Sequence, residues 1–151
     1  MSNKGDKMNE FHEILKDLVL DTGLSLRQLA KESGVSAMQY SRYLKGSLPT
    51  IDVALRIAKY FDCSLDYLFG LDDKKNVLKY KTYNYDLSNF LDKYFSLLKA
   101  NNISHYKFAK SQSFDESIIR KWKNGKVPRL DVIYTIAYNL GGSIDDLVGR
   151  Y

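Results

Sequence analysis

Residues 24–70 read LSLRQLAKESGVSAMQYSRYLKGSLPTIDVALRIAKYFDCSLDYLFG, and this stretch decides the fold. Two pairs within it, Ser25 with Gln28 and Ser36 with Gln39, fit the capping box, in which a helix-starting hydroxyl is followed three residues later by Gln or Glu. Gly34 lies between the two starts and suits the positive φ of a tight turn. The stretch therefore predicts two short helices joined by a tight turn.

The same pattern occurs twice in the chain. A shift of 79 residues aligns residues 24–70 with residues 103–149 without a gap, and 13 of these 47 positions are identical. Two copies are too few for a solenoid, so each copy should be a small domain with its own core. We predict a first domain at residues 8–70, a linker at residues 71–85 and a second domain at residues 86–151.

Apolar spacing predicts further helices around each pair. Phe11, Ile14, Leu15, Leu18 and Val19 have the spacing of one amphipathic helical face, and the stretch that begins at Phe90 repeats it. A second apolar stripe within residues 51–61 has a counterpart within residues 130–140. A short final helix is predicted after Ser64 and after Ser143. The predicted fold is all-α, with five helices in each copy.

The composition excludes several classes of protein. A single cysteine, Cys63, excludes an intrachain disulfide framework, and only two histidines, His12 and His105, argue against a metal site. No apolar run approaches the roughly 18 residues of a membrane-spanning helix, and no catalytic triad or glycine-rich phosphate loop is present. We therefore expect a cytoplasmic, non-enzymatic protein without cofactor, metal or membrane. Its net charge of +5 favours an anionic partner.

Both copies resemble the Cro/CI-type (lambda-repressor-like, XRE-family) helix-turn-helix domain. The resemblance rests on an ordered pattern: Ala30, the turn at Gly34, Tyr43 near the end of the third helix, then Gly46 and Pro49. It implies two tandem five-helix lambda-repressor-like helix-turn-helix domains. It also implies sequence-specific binding of double-stranded DNA, transcription regulation (repression in particular), a homodimer, and a location at the nucleoid in the cytoplasm.

The resemblance also implies which residues contact DNA. The base-contacting residues are those on the exposed face of each third helix: Ala37, Met38, Gln39 and Arg42 in the first copy, and Glu116, Ser117, Ile118 and Lys121 in the second. The phosphate-contacting residues are Lys31, Lys45 and Ser47 in the first copy, and Lys110, Lys123, Lys126 and Arg129 in the second. Residues 104–129 hold seven basic side chains against four in residues 25–50, so the second copy is expected to bind phosphate better. The first copy is expected to read bases better, since Arg can pair with guanine and Gln with adenine.

Several residues leave a structural reading open beside the functional one. Gln39 could simply close its capping box, and Arg42 and Lys121 could be ordinary solvated charges. Residues 71–85, with the alternation Lys79-Tyr80-Lys81, could be a solvated tether, a basic arm on DNA or a strand that pairs with another subunit. His105 is expected to be a plain surface histidine.

The second copy also departs from the pattern. Ser113 replaces the turn glycine, and its third helix is predicted to begin at Asp115 and Glu116, whose carboxylates would face the negative potential of a DNA groove. These departures keep a second function open, that of a protein-interaction or antitoxin-like adaptor. In that case the second domain would serve dimerisation or the docking of a regulatory protein partner.

Overall fold

The computed structural model describes residues 4–75 and 82–150, with side chains from residue 10 onward. These residues form helices and no strand, which confirms the all-α prediction for the described part of the chain. The helices are α1 (Lys4–Thr22), α2 (Leu26–Ser33), α3 (Ala37–Leu44), α4 (Ile51–Phe61), α5 (Leu65–Leu68), α6 (Phe90–Ala100), α7 (His105–Gln112), α8 (Ile118–Lys123), α9 (Leu130–Leu140) and α10 (Ile144–Leu147).

The second five helices follow the order of the first five. α2 and α7 each have 8 residues, α4 and α9 each have 11, and α5 and α10 each have 4. We refer to α1–α5 as the first unit and to α6–α10 as the second unit. The units differ most in their first helices, since α1 has 19 residues and α6 has 11.

Each unit buries an aromatic centre beneath its third helix. In the first unit the rings of Phe11 and Phe69 are stacked with centroids 4.7 Å apart, and Phe11 also contacts the edge of Tyr43. In the second unit Trp122 meets the rings of Phe90 and Tyr94 edge-on, at 5.1 and 5.9 Å. Burying one such side chain stabilises a fold by about 1.5–3 kcal/mol, so these clusters fix the third helices on their units.

The two units are joined by a buried polar contact between their short helices. Oδ1 and Oδ2 of Asp145 accept the backbone N–H groups of Leu65 and Asp66, at 2.9 and 2.8 Å. In return the Asp66 carboxylate accepts the N–H of Ile144 at 2.7 Å and the hydroxyl of Ser143 at 2.6 Å. Each carboxylate thus caps the start of the other unit's short helix, where backbone N–H groups lack helical partners.

A buried arginine completes this contact. The Arg150 side chain is only 1% exposed, and its Nη1 donates to Asp145 at 2.5 Å. Its Nε donates to the carbonyl oxygen of Thr82 at 2.9 Å, and its guanidinium lies 4.6 Å from the centre of the Tyr83 ring. The cation therefore offsets the cost of burying the Asp145 carboxylate.

The described ends of the 71–85 segment pack against the helices rather than hang free as a tether. The carbonyl oxygen of Lys75 accepts the N–H of Ser64 at 3.0 Å, and the Tyr83 hydroxyl donates to Asp62 at 3.2 Å. The tether interpretation is therefore wrong for these ends. The physical reason is that Ser64 and Arg150 offer hydrogen bonds that the linker backbone satisfies. The alternation Lys79-Tyr80-Lys81 lies outside the described residues.

The carboxyl of Asp66 should make the stability of the fold depend on pH. Burial, and then the neighbouring charge of Asp145, raises the pKa of Asp66 well above its usual value, against the lowering effect of its bonds from Ser143 and Ile144. A carboxyl whose pKa is higher in the folded than in the unfolded chain stabilises the fold fully at low pH and loses this contribution as the pH rises. We expect the contribution to be complete below the usual pKa of an aspartate, about pH 4, and lost as the pH rises through the raised pKa of Asp66.

Asp66→Asn tests this dependence, because an amide keeps the acceptor for Ile144 and resembles the protonated carboxyl. In urea unfolding, we expect the free energy of unfolding of the variant to lack the decrease between acid and neutral pH that ionisation of Asp66 causes in the natural chain. Asp17→Asn, on the exposed face of α1, is the matched control and should leave the pH profile of the natural chain unchanged. Identical pH profiles for Asp66→Asn and the natural chain would contradict the assignment.

Candidate nucleic-acid interface

Both predicted capping boxes of the first unit are confirmed. The hydroxyl of Ser25 accepts the N–H of Gln28 at 3.2 Å, and the Gln28 side chain accepts the N–H of Ser25 at 3.0 Å. Ser36 and Gln39 make the same exchange at 3.1 and 2.9 Å. Gly34 ends α2 with a φ of 75°, as the tight turn requires. The sequence thus folds locally into the helix, turn and helix that it predicts.

Two hydrogen bonds fix α3 against the rest of the first unit. The Tyr40 hydroxyl donates to the Ser33 hydroxyl at 2.7 Å, across the turn from α2. Nδ1 of His12 donates to the carbonyl oxygen of Tyr43 at 2.5 Å, from α1. Since Tyr40 and Tyr43 are both buried, α3 keeps one face in the core and presents the opposite face outward.

The outward face of α3, which we name the α3 face, consists of Ala37, Met38 and Arg42. Met38 is 65% exposed, and Nη2 of the exposed Arg42 lies 3.5 Å from its sulfur. Ala37 is half-buried beside them. A guanidinium next to a small apolar surface suits the edges of bases in a major groove, where Arg pairs with guanine and apolar groups contact the thymine methyl.

Gln39 has a structural role. Its side-chain oxygen accepts the N–H of Ser36, and a hydrogen bond from Gln39 to the Tyr43 hydroxyl opposes the rise in the pKa of Tyr43 that burial causes. In the free protein Gln39 therefore acts as a helix-capping residue. Its proposed contact with a base would require these bonds to rearrange.

The predicted phosphate contacts of the first unit surround the α3 face. Lys31 lies in the last turn of α2, Lys45 at the C-terminal end of α3, and Ser47 in the loop that follows. All three are exposed. Polar and basic side chains around a base-reading helix can contact DNA phosphates, and such contacts position the helix on the duplex.

The second unit repeats the turn with a different residue. The Ser104 hydroxyl accepts the N–H of Lys107 at 3.1 Å at the start of α7, and Ser113 ends that helix with a φ of 58°. A residue other than glycine in this left-handed region carries a modest steric cost. The second unit therefore forms the same turn as the first, with less favourable backbone energy.

The start of α8 corrects the prediction that the third helix of the second copy begins at Asp115. The helix begins at Ile118, three residues later, so Glu116 and Ser117 lie in the preceding turn. Asp115 precedes the helix, and its Oδ1 accepts both the N–H and the hydroxyl of Ser117, at 2.7 and 2.6 Å. Such side-chain bonds satisfy backbone N–H groups ahead of a helix.

Asp115 also engages the residue expected to correspond to Arg42. Nζ of Lys121 donates to its Oδ2 at 2.8 Å. This bond, followed by those from Ser117, holds the pKa of the Asp115 carboxyl well below its usual range. Lys121 therefore forms an ion pair in the free protein, whereas the Arg42 guanidinium lies against the sulfur of Met38. Ile118 is half-buried at the start of α8.

The remaining predicted phosphate contacts of the second unit are exposed. They are Lys110 in the last turn of α7, Lys123 at the end of α8, and Lys126 and Arg129 in the loop before α9. Arg129 forms an exposed ion pair with Asp131 at 3.1 Å. Lys123 and Lys126 are both exposed and are therefore suitable probes of phosphate binding.

Two features of α7 differ from what its sequence predicts. Tyr106 is 70% exposed in the first turn, and the ammonium of Lys110 lies 5.8 Å from the centre of its ring. Its position corresponds to the basic residue Arg27 in the first copy, which could have drawn attention to it. His105 is not a plain surface histidine, because its Nδ1 bonds the Tyr94 hydroxyl at 2.8 Å and partial burial lowers its pKa.

The geometry of α2, Gly34 and α3 agrees with a comparison against known protein families. Residues 15–68 match the helix-turn-helix family. This family is of the lambda-repressor-like (XRE) type, and its members are DNA-binding transcription regulators. The match runs from within α1 to the end of α5 and so covers the helix-turn-helix of the first unit. No curated protein and no solved structure matches the chain.

Other kinds of site find no support within residues 4–75 and 82–150. No helix in these ranges is long and apolar enough to cross a membrane. No group of His, Cys, Asp and Glu side chains there could hold a metal ion. Cys63 is buried, and burial raises the pKa of its thiol to about 12, so it is unreactive in the folded chain.

Proposed function

We propose that the protein is a sequence-specific transcription regulator of the repressor type, acting on double-stranded DNA at the nucleoid. The observation that carries this proposal is the α3 face. It presents Arg42 and the exposed Met38 on a helix that buried tyrosines and two tertiary hydrogen bonds hold in place. A helix fixed in this way, with a guanidinium on its outward face, can enter a major groove and pair with guanine.

In this proposal both units are lambda-repressor-like domains, but they contribute differently. The α3 face reads bases, and Lys31, Lys45 and Ser47 hold the flanking phosphates. The second unit contributes mainly phosphate contacts from Lys110, Lys123, Lys126 and Arg129. Its candidate base contacts are Glu116, Ser117, Ile118 and Lys121. They are less ready to bind a base than those of the α3 face, because the ion pair between Lys121 and Asp115 has to break before Lys121 contacts a base.

The late start of α8 favours a second candidate function. A third helix that begins only at Ile118, with Lys121 paired to Asp115, is less suited to a DNA groove than α3 and favours a role of the second unit in protein contacts. In that function the protein is an adaptor or antitoxin-like molecule, and the second unit serves docking or dimerisation. Comigration of the purified chain with a protein and not with DNA would favour this alternative.

The phosphate contacts can be tested with a random-sequence duplex of about 30 base pairs, long enough for two half-sites one helical turn apart. We expect Lys123→Ala and Lys126→Ala each to weaken binding regardless of sequence. Each should also reduce the slope of log K against log salt concentration by about 0.9, the value of one lost phosphate contact. Fluorescence anisotropy across a salt series measures both quantities.

Lys99→Ala is the matched control, since Lys99 is an exposed lysine in the last turn of α6 outside the proposed set. It should leave the salt slope of the natural chain unchanged. Absence of any binding to the duplex at low salt, about 50 mM, would contradict the proposed function itself.

A further inference from the structure

The two units meet through the same surface of each. Asp66 and Asp145 occupy equivalent positions of the 79-residue repeat, and so do Leu65 and Ile144. Asp145 accepts the N–H of Leu65, and Asp66 accepts the N–H of Ile144. The contact is therefore the same whether it is followed from the first unit or from the second. Such reciprocity is the property of an interface formed around a two-fold axis.

A groove between the units shows the same relation. It has a volume of about 310 Å³ and is lined by residues 48–51 of the first unit and 127–131 of the second. Residues 127–130 are the repeat equivalents of residues 48–51. These loops follow α3 and α8, so the groove lies between equivalent parts of the two units, each next to the C-terminal end of a third helix.

The interface contains a buried cluster of paired polar side chains. Ser64, Asp66, Asp145 and Arg150 are all buried, and the bonds described above connect them. α1, the longer of the two first helices, also contacts α9 and so takes part in the interface between the units. The second unit thus covers the surface that another chain would need in order to pair with the first unit in the same way.

We infer that a single chain, rather than a homodimer, is the DNA-binding unit, and that it occupies a two-part site whose halves differ in sequence. This inference rests on the proposed function. A two-fold pair of third helices matches the two-fold symmetry of the duplex backbone, so each helix meets its own half-site. The halves differ because α3 presents Met38 and Arg42, whereas the second unit has Ser117 and Lys121 at the equivalent places.

Cross-linking tests the arrangement. Leu48 and Val127 are equivalent residues that line the groove from opposite sides, and Val127 is 48% exposed. In the double variant Leu48→Cys/Val127→Cys, a short bis-maleimide should join the two cysteines within one chain, since Cys63 is buried and unreactive. The single variant Leu48→Cys is the matched control. It should yield no linked pair of chains, whereas a homodimer built on this surface would bring two copies of residue 48 together.

The linked double variant and the natural chain are then each used to select duplexes from a random-sequence library, and the mass of each complex is measured. We expect the same enriched site for both, with dissimilar halves and one chain per duplex. Sedimentation of the natural chain alone, which needs no substitution to fold, should give the mass of one chain.

Three results would overturn the inference. The first is a link that forms only between chains. The second is a complex of two chains on a site with identical halves, which would leave the proposed function standing. The third is the absence of any enriched site for either protein, which would remove the proposed function together with this inference.

Discussion

Asp145→Ala should lower the free energy of unfolding of the full chain by about 3–5 kcal/mol, the range for removing one partner of a buried ion pair. The substitution removes the carboxylate that pairs with the Arg150 guanidinium, which is 1% exposed. It also removes the acceptor of two backbone N–H groups at the start of α5. Urea denaturation followed by circular dichroism measures the loss. It should appear in the whole chain, because the carboxylate joins the two units.

Asp131→Ala is the matched control in the second unit. Its carboxylate also pairs with an arginine, Arg129, but that side chain is 77% exposed. Exposed pairs contribute about 0–1 kcal/mol, so this variant should unfold close to the natural chain. If both variants lost the same small amount of stability, the contact between α5 and α10 would not be a determinant of the fold.

Arg42→Ala should weaken binding to the preferred DNA site by about 1–3 kcal/mol and relax the base preference at one position of one half-site. The reason is that the Arg42 guanidinium is the only cation on the α3 face, and a bidentate pair with guanine discriminates against other bases. Lys45→Ala, next to it at the end of α3, should instead weaken binding to all sequences alike. Competition binding with singly substituted duplexes separates these two effects.

The control for Arg42 is Arg56→Ala, which removes an exposed arginine from α4 of the same unit. It should leave both the affinity and the base preference unchanged. An Arg42→Ala protein with the affinity and preference of the natural chain would place the base-reading surface elsewhere.

Local features of the first unit were predictable because their determinants lie close together in sequence. A capping box needs two side chains three residues apart, and Ser25 and Gln28 supply them. The turn at Gly34 needs one residue that tolerates a positive φ. The apolar face of each amphipathic helix follows from the helical period alone. These three signals suffice for α2, the turn and α3, and hence for the position of the α3 face.

The features that the sequence analysis missed depend on residues far apart in the chain. The repeat identified Asp66 and Asp145 as identical positions, but nothing in a repeat indicates that the two copies touch each other there. Arg150 follows the last helix and carries no periodic signal, yet it is buried against Asp145. The start of α8 at Ile118 was also missed, because the pattern of residues alone does not fix the boundary of a helix to within a few residues.

Selection from a random duplex library by the full-length chain, at about 150 mM salt where phosphate contacts alone bind weakly, is the decisive experiment for sequence-specific binding through the α3 face. We expect an enriched two-part site, with the stronger base preferences in the half that the α3 face contacts. Retention of DNA that is lost as the salt rises, without enrichment of any sequence, would contradict it. The protein would then be a non-specific DNA binder or a protein-docking module.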